Sequence, residues 1–556
     1  MIPAADLWGR CRSGVARPVV CPPSDTFSIG NVPLKDIRQT PREFAGQLAS
    51  RATDMLRQQY RVILWTVTTF TVVYLILLPP GGDIIQGIAW ADLEALNRPF
   101  PGVLSDLFLP RGIGYKVFLW FSESLSRAFA GEALRLRIYL FNAIFIALAV
   151  GLLAAAYLAF LRRRNREEMD RRLSLRDGAE TIAVAIILFL PATRACWARD
   201  TQIAILLCLA GIGLALSSAA SAQWCSGAIL ILLFSIKGVT ALDFLFVLAV
   251  VMTSGEQKRI RRVIISGAVA GIAAVLIFTT ILRSEFRDIL LAAQFRQIAG
   301  ARLFLPNALR FARHNPAVPA ALVALAMSVF RSRAVPGPSR KLMVFAILVW
   351  LIPLIDVFVQ REYFEYHYEE FILSSWLCIA SLYLARGGKW QDFFCIQSEP
   401  RAKGAVLLAC CLGLAMIGLS LRSRSGEYSL PAAERDLSCR LRLAEEVRSL
   451  VLNANPGMTE KDRALYLSNW SYGMGFSSAL RIFFPVPLQR QNTSTPAARE
   501  FVNSILAYEG PAVIAEATIS SRPDISRVGQ YLRANYQPIT IAAPCHTLQI
   551  WLRAKR

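Results

Sequence analysis

The chain has 556 residues, 54% of them hydrophobic and 18% charged, with 61 Lys and Arg against 39 Asp and Glu for a formal charge of +22. Mean hydropathy is +0.42, and the apolar residues fall in long, nearly charge-free runs. This excludes a disordered tail or a fibrous repeat and argues against an ordinary soluble enzyme, in which about 25% of residues are charged; the bilayer is the solvent to consider.

The basic residues sit mainly at the ends of apolar runs, as topology determinants do, and not on aromatic-interleaved faces of the kind that bind nucleic acid. Residues 1–61 contain no short apolar stretch followed by a small-residue cleavage site, so they are expected to remain as a cytoplasmic N-terminal segment. The first crossing is predicted at Val62–Leu78, preceded by Arg51, Arg57 and Arg61 and closed by Pro79-Pro80-Gly81-Gly82, running from inside to outside. An outer loop follows at 81–137, within which Val117–Phe129 has helical apolar spacing and is expected to lie as a helix on the outer surface.

Ile138–Phe160 is long enough to cross the hydrocarbon core, and Arg162-Arg163-Arg164 marks its cytoplasmic end. Further apolar runs lie at 178–193, 201–220, 225–237, 239–253, 263–282, 316–331, 342–359, 369–385 and 404–421. That gives about eleven crossings of roughly bilayer length in a domain spanning 62–421. From an inside N-terminus, loops 161–177, 254–262, 332–341 and 386–403 fall inside, and all four are basic. Residues 225–253 are open to two readings, since the short runs flanking Lys237-Gly238 form either two crossings or one broken one; the later basic loops agree with two.

Residues 422–556 then form an outer domain of common size. Helices are predicted at Cys439–Asn453, Ala497–Tyr508 and Ile525–Tyr536, and strands at Ala464–Leu467, Ala512–Ile514 and Leu548–Leu552, a small α/β module. Among 11 cysteines no CxxC pair occurs, which removes support for a zinc or thioredoxin-like site. Only Cys439 and Cys545 lie in the outer domain; in an oxidising compartment they form a disulfide, and otherwise two free thiols.

Several polar residues fall on the predicted outer face. Asp83 follows the first crossing directly, with Asp92 and Glu94 in the same loop; each is either a membrane-edge residue or a functional carboxylate. The next outer loop ends in Ala198-Arg199-Asp200, and loop 283–315 holds Arg283, Arg287, Arg296, Arg302, Arg310 and Arg313. Outer arginines run against the positive-inside trend, and an anionic ligand such as a lipid phosphate would retain them through bidentate pairing. A headgroup-facing helix is the alternative. In the segment 360–370, Tyr366 and its neighbouring tyrosines suit an aromatic belt or a stacked sugar or isoprenoid, and His367 either donates to a phosphate or satisfies a backbone group. Lys237 is either a snorkelling lysine or a phosphate partner. No Walker loop, GxSxG, HExxH or paired CxxC is present, which argues against ATP-driven transport, serine hydrolysis and zinc peptidase chemistry.

In the order of these features the chain resembles the GT-C glycosyltransferases, in particular the protein-mannosyltransferase and aminoarabinose- or galacturonosyl-transferase type. The resemblance covers most of 60–556 and rests on Gly82-Asp83, Leu134-Arg135-Leu136-Arg137, Ala198-Arg199-Asp200-Thr201, Ser235-Ile236-Lys237-Gly238, Tyr366-His367-Tyr368 and the tail Leu548–Arg553. It implies an all-α polytopic fold with a small extracytoplasmic α/β domain, in a bacterial inner membrane with a periplasmic C-terminus. It also implies an inverting enzyme that moves a sugar from a polyprenyl-phosphate donor to an envelope acceptor (lipid, polysaccharide or protein), with no cofactor, metal or nucleic acid. By the same resemblance Asp83 is the carboxylate base, with Asp92 and Glu94 as rivals because Ile84 stands where the family often has Glu. Asp200 orients the acceptor or a cationic partner, and Arg199, Lys237, Arg296 and His367 stabilise the phosphate leaving group. The rival readings are a transporter or flippase of polyprenyl-linked glycans or lipids, with polar residues at mid-membrane depth, and an envelope glycan polymerase or ligase; Asp83 as an essential base discriminates the enzyme from both.

Overall fold

The computed structural model describes residues 41–78, 112–131, 133–161, 175–193, 197–283, 301–331, 338–360, 365–384, 400–422, 430–457, 465–467, 503, 506–516, 526–544 and 547–553. The chain divides into two units, 1–58 and 59–556. Helix α1 (Pro41–Ile76) supplies the described part of the first unit and opens the second.

Among the described residues four helices are long and apolar enough to cross a membrane: Gln59–Ile76 of α1, Arg135–Tyr157 of α3 (Leu134–Leu161), Gln257–Ile281, which is α9 (Gln257–Leu276) extended by a π turn, and Lys341–Gln360 of α12 (Pro338–Gln360). Between α1 and α3 lies α2 (Ile113–Ala130). Shorter apolar helices pack around the long ones: α4 (Leu175–Phe189), α5 (Asp200–Leu216), α6 (Ala220–Cys225), α7 (Ala228–Ile236) and α8 (Phe244–Thr253) before α9, and α11 (Ala317–Arg331), α13 (Glu370–Leu384) and α14 (Pro400–Arg422) after it. Helix α10 (Phe304–His314) precedes α11. Large apolar side chains such as Val62, Val269, Ile272 and Val359 are exposed on the outside of these helices. Water would not tolerate such a continuous apolar surface and lipid does, so the chain is a membrane protein.

Close helix packing here depends on small residues, as it does wherever lipid removes the hydrophobic drive for association. A Cβ at Gly213 on α5 would stand 2.4 Å from the Ala156 carbonyl oxygen and 2.7 Å from its Cα on α3, both backbone atoms that cannot swing aside. Gly213→Ala should therefore push α3 and α5 apart and cost about 1–3 kcal/mol. Unfolding in detergent would measure it; unchanged stability would show that the contact is slack.

Proline also explains a helix junction. Pro353 lies inside α12 and has no N–H for the carbonyl of Val349 four residues back. The Ser374 hydroxyl of α13 donates to that carbonyl at 2.7 Å, so the break in α12 becomes a tie to α13. This tie sets the neighbouring ends of the two helices, Asp356 to Gln360 and Glu370, against each other.

The helix is broken around Lys237. Lys237 is extended after α7, a 3₁₀ helix runs over Gly238–Asp243, and the Thr240 hydroxyl donates back to the Leu233 carbonyl at 2.7 Å. A continuing helix would carry residue 240 about 10 Å beyond residue 233. The two short runs are thus separate arms meeting at Lys237.

The helix predicted over Val117–Phe129 is present as α2, with Val117, Trp120, Phe121 and Phe129 exposed and Tyr115, Lys116, Leu119, Ser122, Glu123 and Ser126 buried, so apolar side chains meet lipid while polar ones pack inside the protein. One expectation needs correction. The second crossing begins four residues earlier than Ile138, at Leu134, so Arg137 is a buried residue of α3 and not the end of a loop. Arg137 pairs with Glu123 of α2, both at most 1% exposed, so the crossings are not charge-free.

The C-terminal portion starts with α15 (Leu430–Ala454), joined to α3 through Arg135, which contacts Glu434 at 2.9 Å and Ser438 at 2.6 Å. Its mixed sheet has the order β1-β2-β4-β3, from β1 (Leu465–Leu467), β2 (Ala512–Glu516), β3 (Tyr536–Ala542) and β4 (Thr547–Arg553), with α16 (Ser526–Asn535) leading into β3. β1 and β2 are parallel and the other pairs antiparallel, with Ile514 opposite Ile550 and Ile539 opposite Ile550 on its other side. Strand β3 was not among the predicted strands; as an edge strand it tolerates Pro538, a residue without an N–H. Most of the helix predicted at Ala497–Tyr508 lies outside the described residues.

Candidate functional site

Polar residues buried at one end of the helix bundle converge from α5, α7, α12 and α13. Lys237 ends the wholly apolar α7, where its charge can be kept only by partners. Its Nζ donates to Oε1 of Gln360 at 2.6 Å and lies 3.8 Å from Oδ2 of Asp200, with the two charged side chains 8% and 1% exposed. Asp200 opens α5, so its carboxylate also meets the positive end of that helix. The Gln360 amide group donates to Asp356, so one side chain links the lysine to a second carboxyl one helical turn back.

Asp356, Asp243 and Glu370 form a group with no exposure to solvent. Among the described residues no hydrogen-bond donor reaches either oxygen of Asp243 or of Glu370. Ionised carboxylates only accept, so contacts between carboxyls become hydrogen bonds only by sharing a proton. Glu370 is the first residue of α13 and follows buried Glu369 and His367. His367 belongs to a 3₁₀ turn at Glu365–Tyr368, which is anchored by Tyr368: its hydroxyl donates to Phe304 of α10 at 2.9 Å and its ring packs with Phe304, Phe311 and Phe371.

Arg199 and Asp200 are presented by a turn held on every side. Ala198 has φ of +56°, a left-handed conformation that costs a non-glycine residue energy and persists only where surroundings enforce it. Its N–H donates to Oε1 of Gln202 at 2.7 Å, its carbonyl accepts from the Tyr115 hydroxyl at 3.0 Å, and Gln202 in turn donates to Thr193 at 2.6 Å. The Trp197 indole N–H donates to Oδ1 of Asn142 on α3 at 2.8 Å, and its ring sits edge-on to Phe145 with centroids 5.0 Å apart.

The structure brings Asp200 and Lys237 together as an ion pair; Arg199, the residue before Asp200, and His367, three residues before Glu370, are both buried. Lys237 is therefore an internal ion-pair partner and not a snorkelling side chain. Asp83, Asp92, Glu94, Arg296 and Cys545 lie outside the described residues, as does the side chain of Tyr366. Cys439 is disulfide-bonded, and the described cysteines Cys208, Cys225, Cys378, Cys410 and Cys411 are free. Sequence reasoning missed Asp243, Asp356 and Gln360. The signal was available: a carboxylate inside an apolar run, as in Leu242-Asp243-Phe244 and Ile355-Asp356-Val357, costs too much to be idle.

No protein-family model and no curated protein matches the chain. Among solved structures it is similar to the crystal structure of ArnT from Cupriavidus metallidurans bound to undecaprenyl phosphate, at 12% sequence identity and a TM-score of 0.48, over 88% of this chain and 98% of that one. A likeness at that level assigns no role to any residue here.

Proposed function

We propose that this chain is a membrane glycosyltransferase of the GT-C type, which moves a sugar from a polyprenyl-phosphate donor to an envelope acceptor with inversion at the anomeric carbon. The observation that carries the reading is the Lys237–Asp200–Gln360 arrangement, a buried cation held by a carboxylate and an amide at one end of an apolar bundle, with buried Arg199 preceding Asp200 in the chain. A lipid-linked phosphate enters such a site from the side, its charged group already at membrane-edge depth. The cations stabilise the charge that grows on the phosphate as the glycosidic bond breaks, in a place where little water competes. Arg199 and Lys237 take that task, with Arg296 and His367 as further cations. Asp200 holds Lys237 in register, and Asp83 accepts the proton of the attacking hydroxyl.

The position of the carboxylates favours this reading over a transporter. A transporter would place its polar residues near mid-depth, whereas Asp200 and Glu370 open their helices, Gln360 closes α12 and Asp356 is one turn from that end; Asp243 alone of this group lies deeper, its carbonyl against Cys208 of α5.

The test is complementation of a strain deleted for this chain, comparing wild type with Asp83→Asn at matched protein levels by mass spectrometry of envelope lipids and glycans. Wild type should restore a sugar-sized mass that Asp83→Asn does not. Full restoration by the variant would remove Asp83 as the base, and no sugar-sized change with wild type would remove the glycosyltransferase reading.

A further inference from the structure

The last carbonyls of a helix have no amide of their own helix to accept from. At the end of α1 the carbonyl of Ile76, and that of Leu78 just beyond the helix, accept from one side-chain nitrogen: Nδ2 of Asn142, at 2.8 and 2.7 Å. The same side chain uses Oδ1 to accept from the Trp197 indole at 2.8 Å. Asn142 is fully buried on α3 and Trp197 is 2% exposed, so no water substitutes for these bonds. One amide thus fastens the end of the first crossing to the turn that presents Arg199 and Asp200.

The sequence positions give this latch a purpose, since Asp200 comes three residues after Trp197. We propose that Asn142 is a positioning residue that fixes the Arg199–Asp200 turn against the end of the first crossing, so that this pair meets the substrate in one set place. The role in turnover rests on the glycosyltransferase reading; the latch itself does not. The amide is suited to this in a way its isosteres are not. Aspartate keeps an acceptor for Trp197 but loses both donors to α1, and leucine keeps neither. The strained turn at Ala198 adds to the need, because its left-handed residue is flanked by groups that hold it from Tyr115, Gln202 and Asn142, three separate anchor points on α2, α5 and α3.

Hydrogen exchange read by mass spectrometry, on the full chain in lipid nanodiscs, separates the two arms of the latch. Asn142→Ala should speed amide exchange about tenfold in both 74–78 and 197–203, as expected when one or two hydrogen bonds are lost locally. Asn142→Asp should release 74–78 alone, and Trp197→Phe should release 197–203 alone, with the remaining helices exchanging as in wild type. A general loss of folding would move every segment and would not sort by variant. In complemented cells at equal protein level, each of the three variants should lower the sugar-modified product about tenfold to a hundredfold, since misplacing reacting groups by about 1 Å costs that much. Joining Trp197→Phe to Asn142→Ala should lower it no further.

Wild-type exchange in either segment of Asn142→Ala overturns the latch. The expected exchange pattern with full product overturns the positioning role. Absence of any sugar transfer by wild type strikes the glycosyltransferase reading instead, and the latch is then decided by exchange alone.

Discussion

Arg137→Leu should destabilise the folded chain by about 3–5 kcal/mol, the cost of leaving one charge of a buried pair without its partner. Its guanidinium reaches Glu123 with neither side chain more than 1% exposed, and the pair joins α2 to the start of α3. Arg137→Leu combined with Glu123→Leu should recover most of the loss, because apolar side chains in place of a buried ion pair are often neutral or better. Reversible unfolding in detergent across the four proteins of this double-mutant cycle gives the coupling directly. A double variant as unstable as Arg137→Leu alone would mean that the arginine acts by packing and not by charge.

A second large effect is expected at Lys237. Lys237→Met keeps an unbranched side chain one atom shorter and removes the charge, leaving Asp200, 1% exposed, without the cation 3.8 Å away. About 3 kcal/mol of stability should be lost, and if the proposed function holds, affinity for a polyprenyl phosphate in nanodiscs should fall about tenfold to a hundredfold, the worth of one charge-assisted hydrogen bond. Adding Asp200→Asn should return the stability without returning the affinity. That split distinguishes a lysine that binds phosphate from one that only balances a carboxylate: recovery of both quantities together would make Lys237 structural.

Apolar run length made most of the bundle readable, because a segment buried in lipid has to satisfy its backbone internally and leaves an unbroken hydrophobic signature. The break at Lys237 was legible in part for the same reason, as two runs too short to be one comfortable crossing. Strands β2 and β4 could be seen in Ala512–Ile514 and Leu548–Leu552, short apolar stretches within a polar region. What stayed hidden depends on contacts between distant parts of the chain. Asn142 sits in an apolar run with nothing in its neighbours to announce two carbonyls of α1 and an indole 55 residues ahead. Gln360 is an ordinary polar residue until α12 and α7 bring it to Lys237. The burial of polar residues on α2 could not be read from spacing, since periodicity shows that a helix has two faces and not which one meets lipid. Asp83, central to the sequence reading, lies where no contact is described, so its role is carried by the resemblance and its test alone.

Pro538 has a consequence for how the C-terminal sheet meets other molecules. β3 forms one border of the sheet, paired only with β4 among the described strands, and Ile539 beside the proline is 38% exposed. A bare border of this kind is a template on which another chain could lay a strand and begin to aggregate. Pro538 breaks the template by withholding a donor in the middle of the border, at the residue opposite Trp551. One imino acid thus guards the folded module against growing by strand addition.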